Sequence, residues 1–249
     1  MLLAIDVGNS TTTFGLFEGV RDNSPHLNVG NIRQRWGVET KKLSHNLPNF
    51  SGDVIVSSVV PKADKIIKKR FPQAHFVTAK NIKGIKVKAK KSEVGADRVV
   101  NALAAYKLYG APSIVVDFGT ATTFDMISAK GEYLGGAISP GIGLAAKILH
   151  QATAKLPEVV LAPPKRLIGK NTREAILSGL VYGYVSLVEG MIARIKSETL
   201  NSKQIRNPKS KIQIIATGGF AGLIAKHAKV IDIVDQDITL KGLMLLKTG

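Results

Sequence analysis

Two short stretches of this chain set acid, glycine and hydroxyl groups in an order that suits phosphate chemistry. Residues 113–125 read S-I-V-V-D-F-G-T-A-T-T-F-D, a β-branched run that ends at Asp117 and passes through Gly119 to Thr120, Thr122 and Thr123. Residues 2–13 read L-L-A-I-D-V-G-N-S-T-T-T, where Asp6 ends the run and Val7, Gly8, Asn9, Ser10, Thr11, Thr12 and Thr13 follow. A strand that stops at a carboxylate and turns tightly through glycine offers backbone N–H groups and threonine oxygens to an anion. The acid beside them can hold a cation or steer a phosphate. Either stretch alone also describes an ordinary hairpin, because Asp, Gly, Asn and Thr are common turn residues. The recurrence speaks against that. With Asp6 laid on Asp117, Gly8 falls on Gly119, Asn9 on Thr120 and Thr12 on Thr123.

A third constellation lies between them. Residues 94–98 read V-G-A-D-R and open a helix that Gly110 and Pro112 stop. Asp97 in the first turn is stabilised by the helix dipole, so capping accounts for it as well as chemistry does. Arg98 in the same turn opposes the dipole and is placed to hold an anionic group such as a carboxylate. Residues 131–143 carry five glycines and a proline. They read either as a loop lying against a ligand or as a hairpin followed by a glycine-capped loop. A late strand runs into Thr217-Gly218-Gly219, where bare backbone could receive a flat group such as adenine.

The elements that must position these residues follow from apolar patterning. Buried strands are expected at 2–5, 53–60, 114–116 and 212–216, hairpin strands near 30–36, and a short strand at 75–78. Helices are expected near 38–47, at 63–71, 94–110 and 144–156, and from Asn171 to about residue 200. Asn171 and Glu174 suit a capping pair for the last. Along it Gly179, Gly183, Ser186 and Gly190 form a smooth stripe, fit for an intrachain helix contact or for a subunit interface. Residues 82–91 read as a solvated connector, and 200–211 as a basic surface loop. Strands alternating with helices predict an α/β fold, and the repeated turn predicts a duplication into halves 1–112 and 113–249 with a cleft between them.

Bulk composition narrows the field. With 45% apolar and 21% charged residues the chain is globular rather than disordered. It has no cysteine, which excludes disulfide and thiolate chemistry and fits the cytoplasm. The apolar runs read as too short to span a bilayer, and no signal peptide is expected. The formal charge is +17, but the lysines are scattered and no aromatic residues interleave with them. The charge is read as a basic surface that draws anionic substrates, without a nucleic-acid partner.

The motifs together resemble a known family. The two D-x-G-[NT] turns and the late T-G-G resemble the phosphate and adenosine motifs of the acetate-kinase, sugar-kinase, heat-shock-70 and actin superfamily. The resemblance is closer to the type III pantothenate kinases. It rests on D-V-G-N-S at 6–10, S-S-V-V-P at 57–61, E-V-G-A-D-R at 93–98 and D-F-G-T-A-T-T at 117–123. It continues through G-G-A-I-S-P-G at 135–141, N-T-x-x-A-I-x-S-G at 171–179 and T-G-G at 217–219. It implies duplicated actin-like, ribonuclease-H-like domains, each a mixed sheet flanked by helices, with the active site in the cleft between them. It also implies an ATP-dependent kinase that phosphorylates pantothenate on the way to coenzyme A.

By the same resemblance, residues 6–13 and Thr120 bind ATP, Asp97 is the general base, and Gly95, Ala96, Asp97 and Arg98 bind pantothenate. Asp117 holds a monovalent cation (potassium or ammonium), and Mg²⁺ accompanies the nucleotide. Thr172 reaches the site of the neighbouring subunit in a homodimer. The chain departs from the family pattern at one place. Where the family has Tyr, Asn and Pro ahead of G-A-D-R, it has Lys88, Lys90 and Lys91. A kinase for another small hydroxy acid or sugar therefore stays open, as does a non-catalytic accessory protein for gene expression, which the charge would favour.

Overall fold

The structure, a computed structural model, describes residues 1–18, 32–201 and 211–247. The basic loop expected at 200–211 lies almost wholly outside them, as does the start of the strand expected near 30–36. In the first part of the chain the elements are β1 (Leu2–Val7), β2 (Thr11–Phe17), β3 (Ile32–Glu39), α1 (Leu43–Asn46), β4 (Asp53–Ser58) and α2 (Pro61–Arg70). Then follow β5 (His75–Val77), β6 (Lys86–Val87) and α3 (Ala96–Ala104), which runs on through a π-turn at Ala105–Tyr109. Next come β7 (Ser113–Phe118), β8 (Ala121–Ile127), β9 (Glu132–Pro140), α4 (Ile142–Gln151) and α5 (Thr172–Asn201). The last elements are β10 (Gln213–Thr217), α6 (Ala221–Ala225), β11 (Ile233–Val234) and α7 (Ile238–Lys247).

Two compact units result, and they are not the linear halves of the chain. The first comprises Met1–Gly110, Gly131–Gly135 and Asp237–Gly249, and the second Ala111–Lys130 and Gly136–Gln236. In the first unit the strand order is β3-β2-β1-β4-β5. β1 runs antiparallel to β2 and parallel to β4. Central strands are covered on both faces, which is why they read as continuous apolar runs. Leu3, Ile5, Val54 and Val56 pack with Leu43 of α1 and Ile67 of α2. Leu2, Ala4 and Ile55 on the opposite face pack with Val100 of α3 and Leu240, Leu243 and Met244 of α7. That burial draws the C-terminal helix back to the first unit. Pro61 does not merely stop β4; it occupies the start of α2, where its missing N–H costs nothing.

The second sheet repeats the plan, with strand order β11-β10-β7-β8-β9-β6. β7 is antiparallel to β8 and parallel to β10. Its centre is Ile114–Val116 beside Ile214–Ala216, all fully buried. The glycine-dense stretch at 131–143 is chiefly strand β9, and the expected connector at 82–91 contributes β6, which pairs parallel with Glu132 and Tyr133. Helix α5 starts as expected: Asn171 Oδ1 accepts the Glu174 N–H at 2.9 Å, and Glu174 Oε2 accepts the Lys170 N–H at 3.0 Å. By length and composition α5 is apolar enough to cross a membrane, contrary to the reading of the bare sequence. Its Val181, Val188 and Ile192 are buried, as on the core helix of a folded unit.

Candidate active site

In the first unit the site residues gather at the C-terminal ends of β1 and β4. Asp6 is in register with Thr13 on β2 and with Ser57 on β4, so the three side chains share one face. That face is the one α3 covers, because Ala4 and Ile55 lie on it one step earlier. The turn after Val7 closes when the Gly8 N–H donates to Thr11 O at 3.0 Å. Asn9, Ser10 and Thr11 are exposed at its tip, whereas Thr12 is fully buried. The Thr12 hydroxyl is 3.0 Å from that of Thr40, so it is spent inside the protein.

α3 begins beside this turn. A Cβ on Gly95, its N-cap, would stand 3.5 Å from Val59, just beyond β4, and 2.5 Å from Asp97 Oδ1. The absent side chain is what lets the Asp97 carboxylate fold back over the cap, where it accepts the Arg98 N–H at 2.8 Å. The capping and chemical readings of Asp97 are therefore compatible. Burial pushes its carboxyl above the ordinary aspartate value, against the opposing pull of the Arg98 N–H and guanidinium. A carboxylate so raised is a stronger proton acceptor than an exposed one. Ala96 is buried under it, and Arg98 is partly buried beside it. Lys88, at the family's tyrosine position, has its N–H bonded to Tyr133 O at 2.8 Å and its Nζ 3.5 Å from Glu132.

The second unit builds a matching group. Asp117 at the end of β7 is in register with Thr123 on β8 and Thr217 on β10. Gly218 follows with φ of +87°, and a Cβ there would meet Asp117 Oδ1 at 2.5 Å and Phe118 O at 2.7 Å. The T-G-G stretch thus lies directly on the acid. The Gly119 N–H donates to Ala121 O at 3.1 Å, and Thr120 is exposed. Thr172, exposed at the first position of α5, belongs to neither group.

The two hairpins differ in a detail that a fixed offset conceals. Val7 pairs with Thr12 and Asp6 with Thr13, but Phe118 pairs with Thr122 and Asp117 with Thr123. The second turn is one residue shorter, so Thr12 matches Thr122 and Thr13 matches Thr123. Both Thr12 and Thr122 are fully buried. Two further polar residues escaped notice in the sequence. Asp125 is buried and accepts the Thr123 hydroxyl at 2.9 Å, and Thr40 braces the first turn from outside. Asp125 closes the stretch 113–125 and is visible there as a second acid. Thr40 gave no signal. Among the described residues no three His, Asp or Glu side chains converge on one point. The oxygen donors at Asp6 and Asp117 suit hard cations such as magnesium or potassium, not zinc.

Twin acid-tipped turns, each ending a central strand of its unit, with a third acid at the helix beside the first, are the arrangement expected of a phosphotransferase of the actin-like class. Solved structures share the fold. One, described as a Baf family transcriptional activator from Campylobacter jejuni, has a TM-score of 0.65 at 18% identity over 98% of this chain and 96% of that one. Another, described as a 2-dehydro-3-deoxygalactonokinase from Sinorhizobium meliloti, has a TM-score of 0.56 at 10% identity over 99% of this chain and 98% of its own. A family model for type III pantothenate kinase matches residues 2–194. A type III pantothenate kinase of Moorella thermoacetica is 44% identical over 260 residues, 99% of this chain and 98% of that protein. The chain belongs to the type III pantothenate kinase family.

Proposed function

We propose that the protein transfers the γ-phosphoryl group of ATP to the primary hydroxyl of pantothenate, in the cytoplasm, as the first step toward coenzyme A. The observation that carries this reading is the recurrence of one acid-tipped, glycine-closed turn at Asp6 and Asp117, with the partly buried carboxylate of Asp97 at the helix beside the first. Phosphoryl transfer asks a protein for positioning and charge neutralisation more than for covalent chemistry. The exposed turn Asn9–Thr11 and Thr120 bind the phosphates, with Val7, Gly8 and Thr12 shaping the turn and Thr13 standing beside Asp6. Asp97 takes the proton of the attacking hydroxyl, whose oxygen bonds to the γ-phosphorus as the bond to the ADP oxygen breaks. Arg98 orients the pantothenate carboxylate, and Gly95 and Ala96 line its place.

Magnesium bound with the nucleotide supplies neutralisation of phosphate charge, and Asp6 is the carboxylate nearest that role. Asp117, set against the Gly218 backbone, is the ligand for potassium or ammonium. The working unit is a homodimer in which Thr172 reaches the neighbouring site. Purified protein supplied with ATP, Mg²⁺ and potassium will release ADP only when pantothenate is added. Absence of pantothenate-dependent release at saturating ATP would reject the reading. Lys88 favours a second one, a kinase for another small hydroxy acid or sugar. A panel of such acceptors tests it, since one of them must then outpace pantothenate.

A further inference from the structure

The first turn is held by a residue from outside it. Thr40, just past the end of β3, makes three contacts with this hairpin. Its hydroxyl donates to Gly8 O at 2.7 Å, its N–H donates to Ser10 O at 3.0 Å, and the same hydroxyl lies 3.0 Å from that of Thr12. Since Thr40 donates to Gly8, Thr12 is the donor in the last contact, and the chain runs Thr12 to Thr40 to Gly8 O. A trans peptide is planar, with its C=O and N–H pointing in opposite directions. Tying the Gly8 and Ser10 carbonyls toward Thr40 therefore aims the N–H groups of Asn9 and Thr11 away from it. Two carbonyl dipoles that would repel an anion are turned aside, and two amide dipoles that attract one are presented.

We infer that Thr40 is a positioning residue for nucleotide binding, one that sets the phosphate-binding turn without touching the phosphates. The inference rests on the proposed binding of ATP at this turn. The second turn is braced in the same sense by a different residue. The Gly141 N–H donates to Thr120 O at 3.0 Å. Tying back carbonyls is thus common to both hairpins, although the bracing residues are unrelated in sequence.

The test is Thr40→Val, which keeps the β-branched shape and removes the hydroxyl, with Thr40→Ser as the rescue. Loss of one neutral hydrogen bond should raise KM for ATP about three- to tenfold, with KM for pantothenate unchanged. Thr40→Ser should restore the wild-type value. Backbone amide NMR of the wild-type protein gives a second measurement that needs no variant. On titration with a non-hydrolysable ATP analogue, the Asn9 and Thr11 amides should shift more than their neighbours. A folded Thr40→Val variant with the ATP KM of wild type would overturn the inference, as would Thr40→Ser behaving like valine or unmoved Asn9 and Thr11 amides. Failure of the wild-type enzyme to bind the analogue at all would instead reject the functional reading.

Discussion

At the scale of single residues, Asp97 carries the most weight because its environment works against its charge. Burial raises its carboxyl above the ordinary value, so the native state binds that proton more tightly than the unfolded chain does. The stability this contributes is full below the ordinary aspartate value and is lost as pH rises through the raised one. At neutral pH the ionised side chain is therefore a local cost, one that the proposed general base would have to bear. Asp97→Asn keeps an oxygen for the Arg98 N–H and removes the charge. Turnover should fall about 10²- to 10⁴-fold, as expected for loss of a general base. The variant should unfold at higher denaturant than wild type near neutral pH, and the gap should close on acidification. In the wild type, the acid limb of kcat/KM should lie above the ordinary aspartate range. A less stable Asp97→Asn would show that the carboxylate is structural first. The G-A-D-R pattern made this site legible, whereas Thr40 was not, because a lone threonine acquires meaning only when β3 pairs with β2 and brings it against the turn.

At the scale of elements, Asp97 is only as well placed as α3, and α3 rests on α7. Their crossing is set by Gly242, where a Cβ would stand 2.6 Å from Val100 O and 2.7 Å from Val100 Cγ1. Backbone on one side leaves no flexible end to yield, so Gly242→Ala must push the helices apart. Such overpacking costs about 1–3 kcal/mol, seen as a lower denaturation midpoint. Val100 is one turn beyond Asp97, so kcat should fall as well, although residue 242 lies on a different helix. A drop in stability with kcat unchanged would uncouple α3 placement from the chemistry. The strands β1, β4, β7 and β10 and the helix α5 were legible because apolar runs and a cap pair are local signals. The return of α7 to the first unit was not, since it depends on Leu240, Leu243 and Met244 finding Leu2 and Ala4 from the far end of the chain. Nor was the shorter second turn, because a one-residue difference does not disturb a motif match. For 131–143 the glycines left a ligand loop and a hairpin with a glycine cap equally open, and the structure has the second, with β9 followed by Gly141 as the N-cap of α4.

At the scale of the whole molecule, the proposed homodimer is the arrangement to test. Of the eight large apolar side chains that stand exposed among the described residues, six fall between 138 and 168: Ile138, Leu144, Ile148, Val160, Leu167 and Ile168. They belong to the unit that carries Thr172, and covering them is what a second copy would achieve. If Thr172 serves the neighbour's site, each site combines Asp97 of one chain with Thr172 of the other. On that reading a chain bearing Asp97→Asn and a chain bearing Thr172→Trp should each be inactive as homodimers. Their heterodimer, however, has one site in which both residues are intact. Equal mixing with free subunit exchange should then restore about a quarter of wild-type activity per chain, since half the dimers are mixed and each has one good site of two. If Thr172 acts within its own chain, every site of the mixed dimer keeps one defect and no activity returns. Sedimentation of the mixture separates that outcome from a failure of the two variants to associate.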